Sequence, residues 1–217
     1  MKYKKHLLIA VSTALTIHSG FAEVITSFQG AVPVEPGWTV GTLPIEVIEE
    51  EGKKLLNLKD ESAEGTANLV YKIDPVVADK MRHEGFTAAI TLKQSLSALP
   101  LVFRLPNLNS ISGSVWRSPS TDLVTVGMWN PSEQKNTNAE LPASDKLTTL
   151  KFVFRPSEGT TGVVGTVECF ADDQLLFQVP AMIPEKGSGG NSIEIGNAKN
   201  PERMSHTFVE SFRLSTP

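Results

Sequence analysis

The sequence predicts an all-β fold, a two-sheet antiparallel β-sandwich of the jelly-roll kind, with one short helix near 75–84 as the exception. Three observations predict it. Apolar and polar residues alternate with period two through most of the chain, the spacing of a strand with one buried face. Clusters of Gly, Pro, Asn and Asp interrupt that alternation roughly every ten to fifteen residues and supply the backbone angles that tight reversals need. Strand-like segments also stand near both ends, "VITSFQG" from Val24 and "TFVESFRL" up to Leu214, as in jelly rolls whose end strands pair.

The first segment lies outside that pattern. In "MKYKKHLLIAVSTALTIHSGFA", Lys2, Lys4 and Lys5 precede an apolar run from Leu7 to Ile17, and Gly20 and Ala22 occupy the small-residue positions of a cleavage site. Residues 1–22 therefore read as a secretory signal peptide, too short in its apolar run for the ~20 residues of a spanning helix. The expected product is a single domain over 23–217, secreted or periplasmic, with no membrane insertion, and a monomer. Losing three lysines turns 20 basic against 24 acidic side chains into 17 against 24, a formal −7. A chain this acidic without a basic run carries no footprint for nucleic acid. Cys169 is the sole cysteine, so no disulfide forms within the chain and a buried core must supply the stability.

The remaining elements follow in order. "IEVIEEEG" reads as a solvated strand edge and turn. In "DPVVADKMRHEG", Asp74 caps a short helix, Pro75 occupies its first turn and Gly85 stops it. "FTAAITL" puts Phe86, Ala88, Ile90 and Leu92 on one face, and "KFVFR" pairs Phe152 with Phe154. In "VECFADDQLLF", Val167, Cys169 and Ala171 share a buried face opposite Glu168, and Asp172 and Asp173 form a two-residue turn. "SIEIG" sets Ile193 beside Ile195, and the final strand aligns Phe208, Phe212 and Leu214.

Several of these segments carry a likeness. "SFQGAVPVEPGWTVG" with Phe28, Gly30, Gly37 and Trp38, the strand-turn-strand from Val167 to Asp173, and the closing strand Val209 to Leu214 resemble the concanavalin A-like lectin and glucanase superfamily. More narrowly, they are similar to laminin-G-like modules of secreted bacterial proteins. The chain departs from the pattern at Asp173, where those modules usually place glycine. The resemblance implies a jelly roll that binds carbohydrate on its concave sheet, serves as an adhesion module, or accompanies or forms a glycan-degrading domain. It also implies a structural calcium at the sheet rim, for which Asp60 and Glu61 in "LKDESAEG" are the candidates beside their reading as a polar turn. No other cofactor is expected.

Catalytic patterns are hard to find. Glycoside hydrolysis needs two carboxyl groups ~5 to 9.5 Å apart, and the "E-x-D-x-x-E" run that supplies them in the glucanase branch is absent. "FRLP" at 103–106 resembles the sialidase segment whose arginine grips a carboxylate, which makes Arg104 a candidate, but "STDLVTVGMW" lacks the glycine of an aspartate box and occurs once. Without the signal peptide only His83 and His206 join Cys169, too few for the common zinc patterns. A non-catalytic reading therefore leads, with a sialidase-like or other glycosidase domain and a structural surface protein as alternatives.

Carbohydrate binding needs no fixed motif, because aromatic faces cover sugar rings while polar groups take the hydroxyls. Trp129, Asn130, Trp116 and Tyr71 are the candidates with Arg104, whereas Trp38 reads as structural. If residues 118–121 form the reversal in "GSVWRSPSTDLVTVGMWN", Arg117 faces Asp122 as a cross-strand ion pair and Trp116 faces Leu123. Val115, Val124, Val126 and Met128 then point to the core, and Trp116, Leu123, Thr125, Gly127 and Trp129 point away. In that register ~20 Å of strand separates the two tryptophans, too far to clamp one ring.

Overall fold

The computed structural model describes residues 22–60, 66–96, 99–105, 108–117, 122–158, 162–183, 190–196 and 205–217. Its strands are β1 (Val24–Gln29), β2 (Trp38–Val40), β3 (Glu46–Glu50), β4 (Lys53–Asp60), β5 (Asn68–Lys72), β6 (Phe86–Leu96), β7 (Leu99–Arg104) and β8 (Ile111–Arg117), then β9 (Leu123–Asn130), β10 (Lys135–Pro142), β11 (Thr148–Pro156), β12 (Val163–Ala171), β13 (Gln174–Met182), β14 (Ser192–Gly196) and β15 (Ser205–Ser215). They form two antiparallel sheets. One runs β13-β12-β11-β6-β15-β4-β3, with β1 also paired to β15, and the other runs β10-β9-β8-β7-β14-β5-β2. The end strands do pair: Phe28 lies opposite Phe212, and β4 takes the same edge of β15 further toward its start.

The alternation read from the sequence decides what fills the space between the sheets. Phe86, Ala88, Ile90, Phe152, Phe154, Val167, Ile193 and Ile195 are all buried. The phenyl rings interlock across the sandwich, with Phe103 of the seven-stranded sheet 5.3 Å from Phe86 and 6.0 Å from Phe152. Each such side chain contributes about 1.5–3 kcal/mol by leaving water. Trp38 closes one end of this core, edge-on to Phe28 at 5.5 Å, with its indole N–H donating to Thr26 Oγ1 at 2.9 Å. Cys169 is fully buried among these residues, and burial pushes its thiol up to about 12.

The short helix α1 (Pro75–Glu84) is delimited as its sequence requires. Asp74 Oδ1 accepts from the amides of Val76 at 2.8 Å and Val77 at 3.4 Å, and Gly85 at φ +93° donates back to Met81 O at 2.9 Å. Among the described residues no helix is long and apolar enough to cross a membrane. The β12–β13 reversal is a two-residue turn with both aspartates left-handed, φ +44° and +68°. Asp tolerates that region better than most residues, and Asp172 Oδ1 further accepts from Thr149 N at 2.8 Å.

One strand departs from the simple pattern. The expected face of Phe208, Phe212 and Leu214 is broken, because β15 carries a bulge between Val209 and Ser211. Thr207 and Val209 are buried before it, Phe212 and Leu214 after it, and Phe208 turns outward. An inserted residue shifts the two-residue period by one. The Glu210 carbonyl at that position accepts from Gly30 N at 2.8 Å, which ties the bulge to the start of the chain.

Candidate functional site

All three tryptophans belong to the seven-stranded sheet, and two of them stand on its outer face. The β8–β9 register sets Val115 against Val126 and Trp116 against Thr125. That is two residues away from the register expected from a reversal at 118–121, which lies outside the described residues. A shift of two preserves the face of every side chain, so the division into core and outer residues stands. It changes the neighbours. Arg117 now lies opposite Val124, and its guanidinium approaches Asp145 at 4.0 Å in place of Asp122.

The same register brings the tryptophans together. Glu140, Thr125 and Trp116 form one cross-strand row; Asn138, Gly127 and Ser114 form the next; Asn136 and Trp129 form the third. From its row Trp116 leans diagonally over Gly127. A Cβ at Gly127 would lie 2.9 Å from the indole Cη2 and Cζ3 atoms and would also collide with Asn138 Oδ1. Gly127 is the gap that admits both groups. Trp129 is two residues further along β9, ~7 Å, and remains 43% exposed. The ~20 Å separation expected from sequence is therefore corrected: the indole of Trp116 and Trp129 occupy neighbouring positions.

The other sequence candidates are placed elsewhere. Asn130 alternates to the inner side and is only 5% exposed. Its Oδ1 accepts from the amides of Ser132 at 3.1 Å and Glu133 at 3.3 Å, and its Nδ2 donates to Thr137 Oγ1 at 3.4 Å, so it caps the β9–β10 turn. Tyr71 packs inward at 5.1 Å from Trp38; burial first, then the carboxylates of Glu35 and Asp74, raises its phenol above the ordinary value. Arg104 shares the outer face, but its Nη1 donates to Glu194 Oε2 at 3.0 Å, while Asn68 Nδ2 holds the other oxygen at 3.2 Å. Asp60 ends β4 opposite Ser205, and Glu61 lies outside the described residues. Among the described residues no group of three or more His, Cys, Asp or Glu side chains is arranged to hold a metal ion.

Sequence reading missed Asn136, Asn138 and Glu140. The alternation in "KNTNAELP" was their signal, since it sends all three to one side of β10. On the outer face of the eight-stranded sheet Lys93 of β6 meets Glu50 of β3 at 2.6 Å, whereas the tryptophans stand on the other sheet.

Fold and site together define a jelly-roll-like antiparallel β-sandwich with a mixed aromatic and amide outer face. No protein family description and no curated protein matches the sequence. Solved structures do share the fold. The carbohydrate esterase vb_24B_21 from Shiga toxin-encoding bacteriophage phi24B is similar with TM-score 0.66 at 13% identity, over 90% of this chain and 99% of that one. Botulinum neurotoxin type C, whose cell entry is dependent upon interaction with two ganglioside molecules, is similar with TM-score 0.56 at 8% identity, over 89% of this chain and 47% of the toxin chain. The binding domain of botulinum neurotoxin DC in complex with SialylT gives TM-score 0.53 at 7% identity, over 89% and 48%. The protein thus spans about half of the toxin chains. At these identities the likeness is one of fold.

Proposed function

We propose that the protein is an exported, non-catalytic carbohydrate-binding or adhesion module, of the concanavalin A-like and laminin-G-like kind, that takes glycan on the outer face of the seven-stranded sheet. One observation carries this reading: Trp129 stands half-exposed beside a Trp116 ring laid across Gly127, with the amides of Asn136 and Asn138 alongside. Aromatic rings there remove the apolar face of a sugar from water, and amides donate to and accept from its hydroxyls. The named roles of two fold neighbours, ganglioside interaction and carbohydrate esterase, both concern carbohydrate, the second as an enzyme.

The test is a glycan array followed by calorimetry on the chain from residue 23. Trp129→Ala is expected to weaken the best ligand at least about tenfold, equivalent to about 1.4 kcal/mol, with Trp116→Ala close behind. An array blank across plant, algal and mucin polysaccharides sinks the proposal. Mass spectrometry of the exported protein checks cleavage after Ala22.

A further inference from the structure

We infer that this face selects uncharged glycans over anionic ones and that Glu140 makes the selection; the inference rests on the glycan-binding reading and narrows its substrate class. The argument is one of local charge. Glu140 projects from the edge strand β10 in the same cross-strand row as Thr125 and Trp116, and the next row brings Asn138 and Ser114 around Gly127. Every other polar group of the three rows is neutral and can meet hydroxyls as donor or acceptor. Glu140 can only accept, which suits a sugar hydroxyl or amide and opposes a carboxylate or sulfate.

Among the described residues Glu140 has no ion-pair partner, and three cations of the same sheet are paired with other carboxylates. Lys135 holds Glu133 at 2.9 Å, Arg117 turns to Asp145 at 4.0 Å on the opposite face parity, and Arg104 holds Glu194 at 3.0 Å. Arg104 was the one candidate for gripping an anionic sugar, and its charge is matched. The formal −7 of the chain from residue 23, 17 basic against 24 acidic side chains, adds a longer-range field of the same sign. A ligand carboxylate set over the tryptophans would therefore meet uncompensated negative charge, felt across the ~10 Å screening length at 0.1 M salt.

The experiment uses matched pairs: gluco-, galacto-, manno- and N-acetylglucosamine hexasaccharides, each against its form with 6-hydroxymethyl groups oxidised to carboxylates. In 20 mM salt the wild-type protein is expected to prefer the neutral member of a bound pair by roughly tenfold, a gap that shrinks several-fold in 0.5 M salt. Glu140→Gln is expected to narrow the gap at low salt, and Glu140→Lys to close or reverse it. If the carboxylated member binds as well as the neutral one, and Trp129→Ala abolishes both, the glycan-binding face stands and its selectivity is refuted. A wild-type gap that neither Glu140 variant alters removes Glu140 from the proposal. If Trp129→Ala binds like wild type, or no probe binds, the glycan-binding face itself fails and the selectivity with it.

Discussion

On the outer face of the eight-stranded sheet, Arg155 Nε donates to Glu168 at 2.9 Å, Lys151 holds Asp173 at 2.6 Å with its ammonium 4.9 Å from the Phe170 ring, and Thr91 meets Thr149 at 3.0 Å. On the outer face of the seven-stranded sheet, around β8 to β10, the rows hold two indoles, two asparagines and a carboxylate with no ion-pair partner among the described residues. Both faces are built by the same alternation over one shared core. The first spends its polar groups on neighbours within the sheet, which is what a solvated surface does. The second leaves aromatic and amide groups turned outward beside a glycine that no side chain of its own fills.

The largest effect expected from breaking this contrast is at Gly127. In Gly127→Ala the added methyl meets the Trp116 ring and Asn138 Oδ1, so both must move. Overpacking of this kind costs about 1–3 kcal/mol when the neighbours cannot give; here one neighbour is an indole free to swing outward, so stability falls toward the low end. Ligand affinity should nevertheless drop about tenfold or more, with a shift in tryptophan emission. Unchanged emission and unchanged affinity together would mean that Trp116 does not form the surface described.

How much of this was legible in the sequence depends on which interactions set each feature. Strand faces such as Phe86, Ala88 and Ile90, or Val167 and Cys169, are fixed by local alternation and could be read directly. The helix was readable because Asp74, Pro75 and Gly85 each do one local job. The bulge at Glu210 was not, because it depends on Gly30, which is remote in sequence. Register between β8 and β9 was half readable: parity survived the two-residue difference, but the spacing of Trp116 and Trp129 did not.

A smaller effect tests whether the strand beneath the charged face is dry. Cys169 lies on β12 between Glu168 and Phe170, which point out, and burial pushes its thiol from the ordinary 9.0 up to about 12. The folded state therefore keeps the proton after the unfolded chain has lost it. The resulting stabilisation is complete below pH 9 and falls as pH rises toward about 12, by up to about 1.4 kcal/mol for each pH unit. Denaturant melts of wild type and Cys169→Ala at pH 8 and pH 10.5 isolate this term. Parallel pH profiles for the two proteins would show that water reaches β12, and that the two faces do not share one closed core.

The smallest effect is the most pointed for the contrast itself. The Arg155–Glu168 pair is mostly solvent-exposed on the arginine side, and such pairs stabilise by only about 0–1 kcal/mol. Arg155→Ala should thus lower stability by less than about 1 kcal/mol, less still in 0.5 M salt, and leave glycan affinity within twofold of wild type. This arginine nonetheless lines a hollow with Thr87, Lys151 and Val153. If Arg155→Ala weakens glycan binding as much as Trp129→Ala does, the assignments of the two faces must be exchanged, because a side chain already satisfied by Glu168 has no reason to affect a ligand on the opposite side of the sandwich.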